Sequence, residues 1–148
     1  MAPSSSGACV CSQLRRTARK VSSLYDRALT ESGLTITQHS LLVNIARAGE
    51  VGRSVLAAKL GMDRTTLTRN LKPLELARLV KAAGQSEDRR QRLLCLTKEG
   101  QRRLKRSYEQ WEKIQIEFAM SLGAGELEKL RSVLQVAEAA AQRAFATA

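Results

Sequence analysis

Aromatic residues are scarce in this chain, and so are several other residue types. Phe, Trp and Tyr together make up 3% of the 148 residues, so a packed core must rest mainly on Leu, Val, Ile and Ala. Proline occurs twice, and its scarcity favours helices, because proline removes a backbone donor and interrupts a helix. No apolar run reaches the roughly 18 residues that a membrane-spanning helix needs, which argues against an integral membrane protein.

Cysteine and histidine are also rare. Three cysteines, an odd number, argue against a framework of structural disulfides. The N-terminal residues place no apolar stretch behind basic residues, so they do not resemble a secretory signal, and we expect a cytoplasmic protein. With a single histidine, no glycine-rich phosphate loop and no metalloprotease or Ser-His-Asp motif, the sequence indicates neither an enzyme nor a required cofactor.

Acidic residues are outnumbered by basic ones. The chain has 25 Lys and Arg against 14 Asp and Glu, a formal net charge of +11, and 43% apolar residues, enough for a packed core. A compact chain this basic is attracted to polyanions. Nucleic acid is the first candidate, and the alternative is a basic helical protein that lies on an anionic membrane surface.

Helical periodicity runs through most of the chain. It predicts a first helix from about residue 9 to 33 and a second helix from Thr35, whose spacing to Gln38 is typical of a capping box. A short third helix is predicted over residues 54–60, and a fourth follows Asp63 after a turn that contains Gly61. Two helices joined by a tight glycine-containing turn are the pattern of a helix-turn-helix.

The predicted fourth helix has two chemically different faces. Leu67, Leu71 and Leu74 recur on one side, and polar residues recur on the other at spacings of three, four and seven. That polar face offers hydroxyl, methyl and guanidinium groups suited to the base edges and phosphates of a major groove. The candidate contacts are Thr65, Thr68, Arg69 and Lys72.

Two strand-like segments, residues 79–82 and 92–96, flank a polar tip that is rich in arginine. Arginine at a narrow, extended tip can enter the minor groove, whose negative potential is enhanced in A·T tracts. Arg89 and Arg90 are therefore candidate DNA contacts. Asp88 is better suited to hold Arg90 in a fixed orientation than to meet DNA itself.

Short motifs recur in order along the chain. Asp88-Arg89-Arg90 precedes Leu96-Thr97 and Gly100, and upstream lie Leu34-Thr35 with Gln38, Leu56-Ala57 with Leu60-Gly61, and residues 63–69. Over roughly residues 9–145 this series resembles the MarR family of winged helix-turn-helix transcription regulators. One departure is Gly52-Arg53-Ser54, where a Thr-Pro-like cap is commoner in the family.

The resemblance implies a fold, an assembly and a function. The fold would be mainly α with a small β wing, and the protein a homodimer. Thr66 would join Thr65, Thr68 and Arg69 at the major groove, with Arg90 in the minor groove. Most such proteins are repressors that a ligand or thiol chemistry releases from DNA.

The terminal helices support a dimer independently. Both carry wide apolar stripes, which stay exposed to water unless they pack together. A homodimer with interlocked terminal helices buries them, and its two-fold symmetry suits a palindromic double-stranded DNA operator. We expect residues 1–8 to be flexible, residues 9–33 and 101–148 to form the dimerisation region, and residues 34–100 to form the DNA-binding winged helix-turn-helix.

Cys9 and Cys11 stand at the predicted start of the first helix. A helix start lowers the pKa of a thiol through its dipole, and nearby Arg15 and Arg16 act in the same direction, so both cysteines are candidate sensing thiolates. By resemblance, Cys11 falls where the organic-hydroperoxide-sensing branch carries its reactive cysteine. That branch surrounds it with aromatic residues, whereas Tyr25 is the only one here in the first hundred residues. The plain alternative is two inert cysteines at a frayed terminus.

Two other signals remain open. Thiolates select soft metal or metalloid ions such as Hg(II) and As(III), and Cys9 and Cys11 supply two ligands. A third would come from Cys95, His39 or the partner subunit, although Cys95 suits packing and a lone histidine such as His39 is usually a surface or dimer-facing residue. The other signal is a small aromatic or phenolic ligand in the crevice between the dimerisation and DNA-binding regions, as in many relatives.

Overall fold

The computed structural model describes residues 9–85 and 92–146. Within these ranges the helices are α1 (Val10–Ala28), α2 (Ile36–Ala48), α3 (Arg53–Lys59), α4 (Arg64–Leu76), α5 (Lys98–Leu122) and α6 (Glu126–Ala146). The strands β1 (Val51–Gly52), β2 (Val80–Gln85) and β3 (Arg92–Leu96) form an antiparallel sheet in the order β1-β3-β2. The predicted mainly α fold with a small β wing is confirmed. None of the described helices combines the length and apolar character needed to cross a membrane.

The chain divides into two compact units, residues 1–111 and 112–148. The core of the first unit is almost purely aliphatic, as the scarcity of aromatic residues predicted. It draws on α2, α3, α4 and the sheet, and its fully or nearly fully buried side chains include Leu41, Leu42, Ile45, Leu56, Leu67, Leu71, Leu74, Leu79 and Leu94. This core fixes the position of α4, because the leucines along one side of that helix pack into the core.

The link between α1 and α2 differs from the prediction. The first helix ends at Ala28 and not at Gly33, and a 3₁₀ turn, Thr30–Ser32, follows it. The Thr30 hydroxyl donates to the Arg27 carbonyl oxygen at 2.8 Å, so a side chain hydrogen-bonds to a carbonyl group in the last turn of α1. Gly33, with φ of 67°, then terminates the 3₁₀ turn.

The predicted start of α2 is confirmed. Thr35 Oγ1 accepts from the Gln38 amide at 3.2 Å, and the Thr35 amide donates to Gln38 Oε1 at 3.0 Å, which completes the capping box. An additional carboxylate contributes, since Asp26 Oδ1 accepts from the Ile36 amide at 2.7 Å. Four unpaired amides begin every helix, and these contacts satisfy three of those at the start of α2, namely the amides of Thr35, Ile36 and Gln38.

The sheet contains a strand that the sequence did not predict. β1 is two residues long and pairs Val51 with Leu94 of β3, while β2 pairs Val80 with Leu96. β3 is therefore the central strand. Leu94 is 1% exposed and Leu93 is half-buried, since neighbouring residues of a strand point to opposite faces of the sheet.

Backbone crowding fixes the junction of α4, β2 and α5. The Thr97 hydroxyl donates to the Arg78 carbonyl oxygen at 2.7 Å and accepts from the Gly100 amide at 3.0 Å, so Thr97 caps α5. A Cβ on Gly100 would lie 2.0 Å from the Leu79 carbonyl oxygen. Arg78 itself has φ of 55°, a left-handed conformation that glycine would adopt at lower cost.

The second unit contains the end of α5 and all of α6. Gly123 and Gly125, with φ of 101° and 77°, separate the two helices. Over the described residues 126–146, α6 has no buried side chain. Its exposed apolar residues include Leu130, Val133, Leu134, Val136 and Phe145.

Candidate nucleic-acid interface and signal sites

The polar face of α4 is presented by a firmly anchored helix. Asp63 caps it: Oδ1 accepts from the Thr66 amide at 2.8 Å, and Oδ2 accepts from the Thr66 hydroxyl at 2.7 Å. The Thr66 amide and hydroxyl hold the pKa of the Asp63 carboxyl below its usual value. On the opposite side, Leu67, Leu71 and Leu74 are each at most 1% exposed. The cap and the leucines leave one face of α4 open to a partner.

Four of the five predicted major-groove residues lie on that open face. Thr65, Thr68, Arg69 and Lys72 are exposed. Thr68 Oγ1 donates to the Arg64 carbonyl oxygen at 2.8 Å, which leaves this hydroxyl able to accept a hydrogen bond from a partner.

Thr66 is in a different environment from the other predicted contacts. Its side chain is half-buried and its hydroxyl proton is committed to Asp63, so Thr66 first serves the helix cap. Arg64, which the sequence reasoning did not select, is exposed at the first position of α4. A cation at the start of a groove-facing helix is well suited to a phosphate, and this position beside the cap could have identified it.

The predicted wing contacts cannot be placed. Asp88, Arg89 and Arg90 lie outside the described residues, so their roles stay predictions. The strands that carry them are described, and β2 and β3 pair from Val80–Leu96 to Gln85–Arg92 with an irregularity between Ala83 and Gln85. The base of the hairpin is thus fixed to the same core as α4 through the buried side chains of Val80 and Leu94.

A hydrogen bond stabilises the turn of the helix-turn-helix, and an ion pair joins its two helices at the far end. At the turn, the Met62 amide donates to the Ala57 carbonyl oxygen at 2.9 Å. At the far end, the Arg53 guanidinium at the start of α3 hydrogen-bonds to the Glu75 carboxylate in the last turn of α4. Arg53 belongs to the segment that departs from the family pattern, so its function here is not the usual helix cap.

His39 is buried within the chain, so the expectation of a surface histidine is wrong, and the alternative of a dimer-facing histidine stays a prediction. Its ring is 3% exposed, and Nδ1 lies 2.9 Å from Ser107 Oγ. The Ser107 Oγ also lies 2.9 Å from the Leu104 carbonyl oxygen, to which its hydroxyl donates, so this hydroxyl is held between the His39 ring and the backbone of α5. Burial lowers the pKa of His39. No local pattern predicts this contact, because α5 supplies it from 68 residues away.

His39 also belongs to an aromatic cluster beside a cavity. It stacks on Trp111 with ring centroids 5.9 Å apart, and Tyr108 lies 5.3 Å from Trp111. The cavity between α2 and α5 has a volume of about 270 Å³, and Arg47 is the cation in its lining, which comprises Ile36, His39, Ser40, Val43, Asn44, Arg47, Tyr108 and Trp111. An aromatic wall with one cation has the chemistry to hold a small aromatic acid.

The N-terminal thiols are accessible. Cys9 and Cys11 are free and exposed, and Cys9 occupies the cap position of α1. The backbone amide and the hydroxyl of Ser12 lower the pKa of the Cys9 thiol. In this first turn α1 contains no acidic residue to oppose a thiolate.

Cys95 differs from Cys9 and Cys11 in its solvent exposure. It is half-buried in β3, where it pairs with Lys81 of β2. Across residues 9–85 and 92–146, no group of three or more His, Cys, Asp or Glu side chains could hold a metal ion. A metal or metalloid at Cys9 and Cys11 would need ligands from elsewhere, so that hypothesis stays a prediction.

A two-helix unit with an exposed polar second helix, followed by a β hairpin packed on the same core, defines a winged helix-turn-helix protein. A family profile described as the MarR family matches residues 32–91. The M. tuberculosis transcriptional regulator MosR, solved in complex with DNA, is 35% identical to this chain, with a TM-score of 0.82 over 93% of this chain and 98% of MosR. The chain belongs to the MarR family.

One further relative and one further solved structure are similar to this chain. The uncharacterised HTH-type transcriptional regulator YdgJ of Bacillus subtilis (strain 168) is 31% identical over 103 residues, which span 70% of this chain and 63% of YdgJ. A mutant of E. coli MarR complexed with operator DNA is 22% identical, with a TM-score of 0.78 over 86% of this chain and 92% of that chain. At that identity the likeness shows the fold alone.

Proposed function

We propose that this protein is a homodimeric transcription regulator, acting in the cytoplasm, that binds a palindromic double-stranded DNA operator and represses until a signal releases it. The observation that carries the proposal is the exposed polar face of α4, held rigidly by Asp63 and by its buried leucines. MosR, with which this chain shares 35% identity over nearly its whole length, was solved bound to DNA. The net charge of +11 supplies the sequence-independent part of the attraction.

In the proposed complex, α4 enters the major groove and the wing tip reaches the adjacent minor groove. Arg69 pairs with a guanine edge or pins a phosphate, and Thr65 and Thr68 meet base edges and thymine methyl groups. Arg64 and Lys72, exposed on the same helix, bind phosphates. Arg89 and Arg90 extend from the wing, with Asp88 orienting Arg90.

The homodimer is supported by apolar surface that one chain leaves uncovered. On α6, Val133 and Val136 are each 64% exposed and Phe145 is 88% exposed, and on α1, Val10 is 68% exposed. Stripes of this kind are costly in water and are usually interfaces. A second copy that covers them would place two α4 helices on one face of DNA, at a spacing set by the terminal helices.

The proposed signal is oxidation of Cys9 and Cys11 by a hydroperoxide. The Cys9 thiolate attacks the peroxide oxygen, forming a sulfenic acid while the leaving oxygen departs as an alcohol. The Cys11 thiol then attacks the sulfenic sulfur, and water leaves as the disulfide forms. Residues two apart point in different directions on a helix, so this bond requires α1 to unwind at its start. Unwinding changes the dimerisation region and hence the spacing of the two α4 helices.

Binding of a soft metal or metalloid ion by the same thiolates is the variant of this proposal. It requires a third ligand from the partner subunit, because the described residues of one chain supply none nearby. The bound ion would draw Cys9 and Cys11 together at the start of α1, and it would thereby change the spacing of the two α4 helices. Cys95, half-buried in the sheet, is the weakest of the candidate ligands.

A second candidate signal is supported by the cavity between α2 and α5. Its volume of about 270 Å³ suits a molecule with one aromatic ring, Trp111 and Tyr108 form an aromatic wall, and Arg47 can pair with a carboxylate. This observation favours an aromatic acid as the inducer.

The DNA-binding proposal is tested by selecting bound genomic fragments and then titrating the recovered duplex by gel shift at several salt concentrations. We expect a symmetric site, and affinity that falls steeply between about 50 and 200 mM salt as counterions are released. Arg69→Ala should weaken operator binding by about tenfold to a hundredfold. Arg16→Ala, an exposed arginine of α1, is the matched control and should change affinity less than about threefold. Binding without salt dependence, or equal losses in both variants, contradicts the proposal.

The signal is identified with the same gel shift in the presence of a hydroperoxide, As(III) or Hg(II), and salicylate-like acids. Cys11→Ser should abolish release by the hydroperoxide and by As(III) or Hg(II), and it should leave release by the acids intact. Arg47→Gln should do the reverse, because it removes the cation of the cavity and leaves both thiols intact. Release by oxidant that survives Cys11→Ser excludes the thiol mechanism.

A further inference from the structure

One ion pair joins the two helices of the helix-turn-helix at the end away from their turn. Arg53 is the first residue of α3, and Glu75 lies 22 residues later in the last turn of α4. The guanidinium Nη2 of Arg53 hydrogen-bonds to Oε1 of Glu75. The side chains are 38% and 36% exposed, so the pair is neither buried in the core nor free in solvent.

Each of these charges stands at the unfavourable end of its own helix. A helix start favours acidic side chains and a helix end favours basic ones. The first turn of α3 contains Arg53 and no acidic residue, and the last turn of α4 contains Glu75 and no basic residue. Local helix stability therefore does not explain either residue, whereas their contact across the two helices does.

The pair joins α3 and α4 at the end that lies away from the turn between them. Where the two helices meet, the Met62 amide donates to the Ala57 carbonyl oxygen at 2.9 Å. Helix α4 is about 20 Å long, from its 13 residues and a rise of about 1.5 Å each. A change of about 5° in its direction moves one end by about 1.7 Å, which is enough to break a hydrogen bond to a base edge.

Glu75 also shares a side of α4 with residues of the polar face. Thr68, Lys72 and Glu75 follow one another at spacings of four and three, so they lie along one stripe. A carboxylate on this stripe repels DNA phosphates unless a cation neutralises it. Arg53 supplies that cation, and it does so at the position where the family more often has a Thr-Pro-like cap.

We propose that the Arg53–Glu75 pair is a positioning device that sets the angle of α4 for operator recognition and masks the Glu75 charge from DNA. The inference rests on the proposed DNA-binding function. Neither residue needs to touch a base. The pair acts through α4, so it controls the affinity for the correct operator more than the affinity for any duplex.

The test is a double-mutant cycle on operator affinity with Arg53→Gln, Glu75→Gln and the double variant. Each single variant should lose about tenfold in operator affinity, and the double variant should lose no more than either single one. Affinity for random duplex should change less than about threefold for Glu75→Gln. Denaturation midpoints should stay close to the wild-type value, because a partly exposed ion pair contributes little stability.

Whether Glu75→Gln weakens or strengthens operator binding distinguishes a positioning role from a purely electrostatic effect on DNA. If Glu75 only repelled DNA, or if Arg53 contacted phosphates directly, Glu75→Gln would bind the operator more tightly than the wild type. That result overturns the inference. Wild-type protein that binds no operator at all instead overturns the proposed function, so the two failures are distinguishable.

The exchange of both charges is the rescue experiment. Arg53→Glu with Glu75→Arg rebuilds the pair with each charge at the favourable end of its helix. We expect operator affinity within about threefold of wild type and an unchanged or raised denaturation midpoint, whereas affinity as low as in the single variants contradicts the inference. Glu99→Gln and Arg102→Gln, which break the exposed pair on α5 with N–O distance 2.6 Å, are matched controls and should leave operator affinity unchanged.

Discussion

Replacing Gly100 with alanine should destabilise the protein, although helix propensity alone predicts the opposite. Gly100 lies in the first turn of α5, and its φ is outside the left-handed region. Alanine in a helix is more favourable than glycine by up to about 1 kcal/mol. The sign of the measured change therefore reports whether local propensity or tertiary crowding dominates at this position.

The crowding is severe because the obstacle is backbone. The new Cβ would lie 2.0 Å from the Leu79 carbonyl oxygen, so the start of α5 must withdraw by about 1.4 Å to reach ordinary contact. The same oxygen accepts from the Thr97 amide at 3.0 Å, and the Thr97 hydroxyl donates to Arg78 O at 2.7 Å. Weakening these two hydrogen bonds costs about 1 kcal/mol each. With the accompanying shift of packed residues, we expect a net loss of about 2 to 3 kcal/mol in the free energy of unfolding.

The assay is equilibrium unfolding in urea, followed by circular dichroism, at one fixed protein concentration. Gln101→Ala, an exposed change in the same turn, is the matched control and should change the free energy of unfolding by less than about 0.5 kcal/mol. A Gly100→Ala protein as stable as the wild type, or more stable, would refute the crowding argument. It would also leave the glycine of the Leu-Thr-x-x-Gly motif without a physical explanation.

Two further predictions concern the core and its buried histidine. Leu71→Ala removes a fully buried side chain from the inner face of α4, and it should lower the free energy of unfolding by about 2 to 5 kcal/mol. The measurement is urea denaturation. A loss below about 1 kcal/mol would mean that the surrounding side chains collapse into the cavity. Burial lowers the pKa of His39 in the folded protein, so the unfolded chain binds the proton more readily and stability should fall as pH drops below about 6.5. His39→Asn, which can keep an N–H donor for Ser107, should remove this part of the dependence of the melting temperature on pH, and superimposable profiles for the two proteins would contradict the assignment.

Local chemistry in the sequence was sufficient to predict most helices and the polar face of α4. Thr35 and Gln38 form the predicted capping box, and Asp63 caps α4 as its position before the leucine repeat indicated. These features are readable because the interacting groups are three residues apart. The leucine repeat of α4 likewise needs only the helical period to assign its buried side.

Features that depend on distant residues were not predictable in the same way. β1 is two residues long, too short for any periodic pattern, and becomes a strand only through its pairing with Leu93 and Leu94. His39 is buried by α5, and no spacing in the sequence connects it with Ser107 or Trp111. The first helix was predicted to extend to Gly33 because that glycine is a strong stop signal, whereas Thr30 already redirects the chain.

The sheet order has a consequence for how the chain folds. β1 and β2 both pair with β3, and β3 is the last of these strands in the sequence. During synthesis the outer strands exist before their common partner, so neither ladder can form until the residues up to Leu96 have left the ribosome. Pairing between strands about 40 residues apart is a slow step, because loop closure precedes any gain in contacts. We therefore expect the helices of the first unit and the local pairing of β2 with β3 to form early, and the pairing of β1 with β3 to form late.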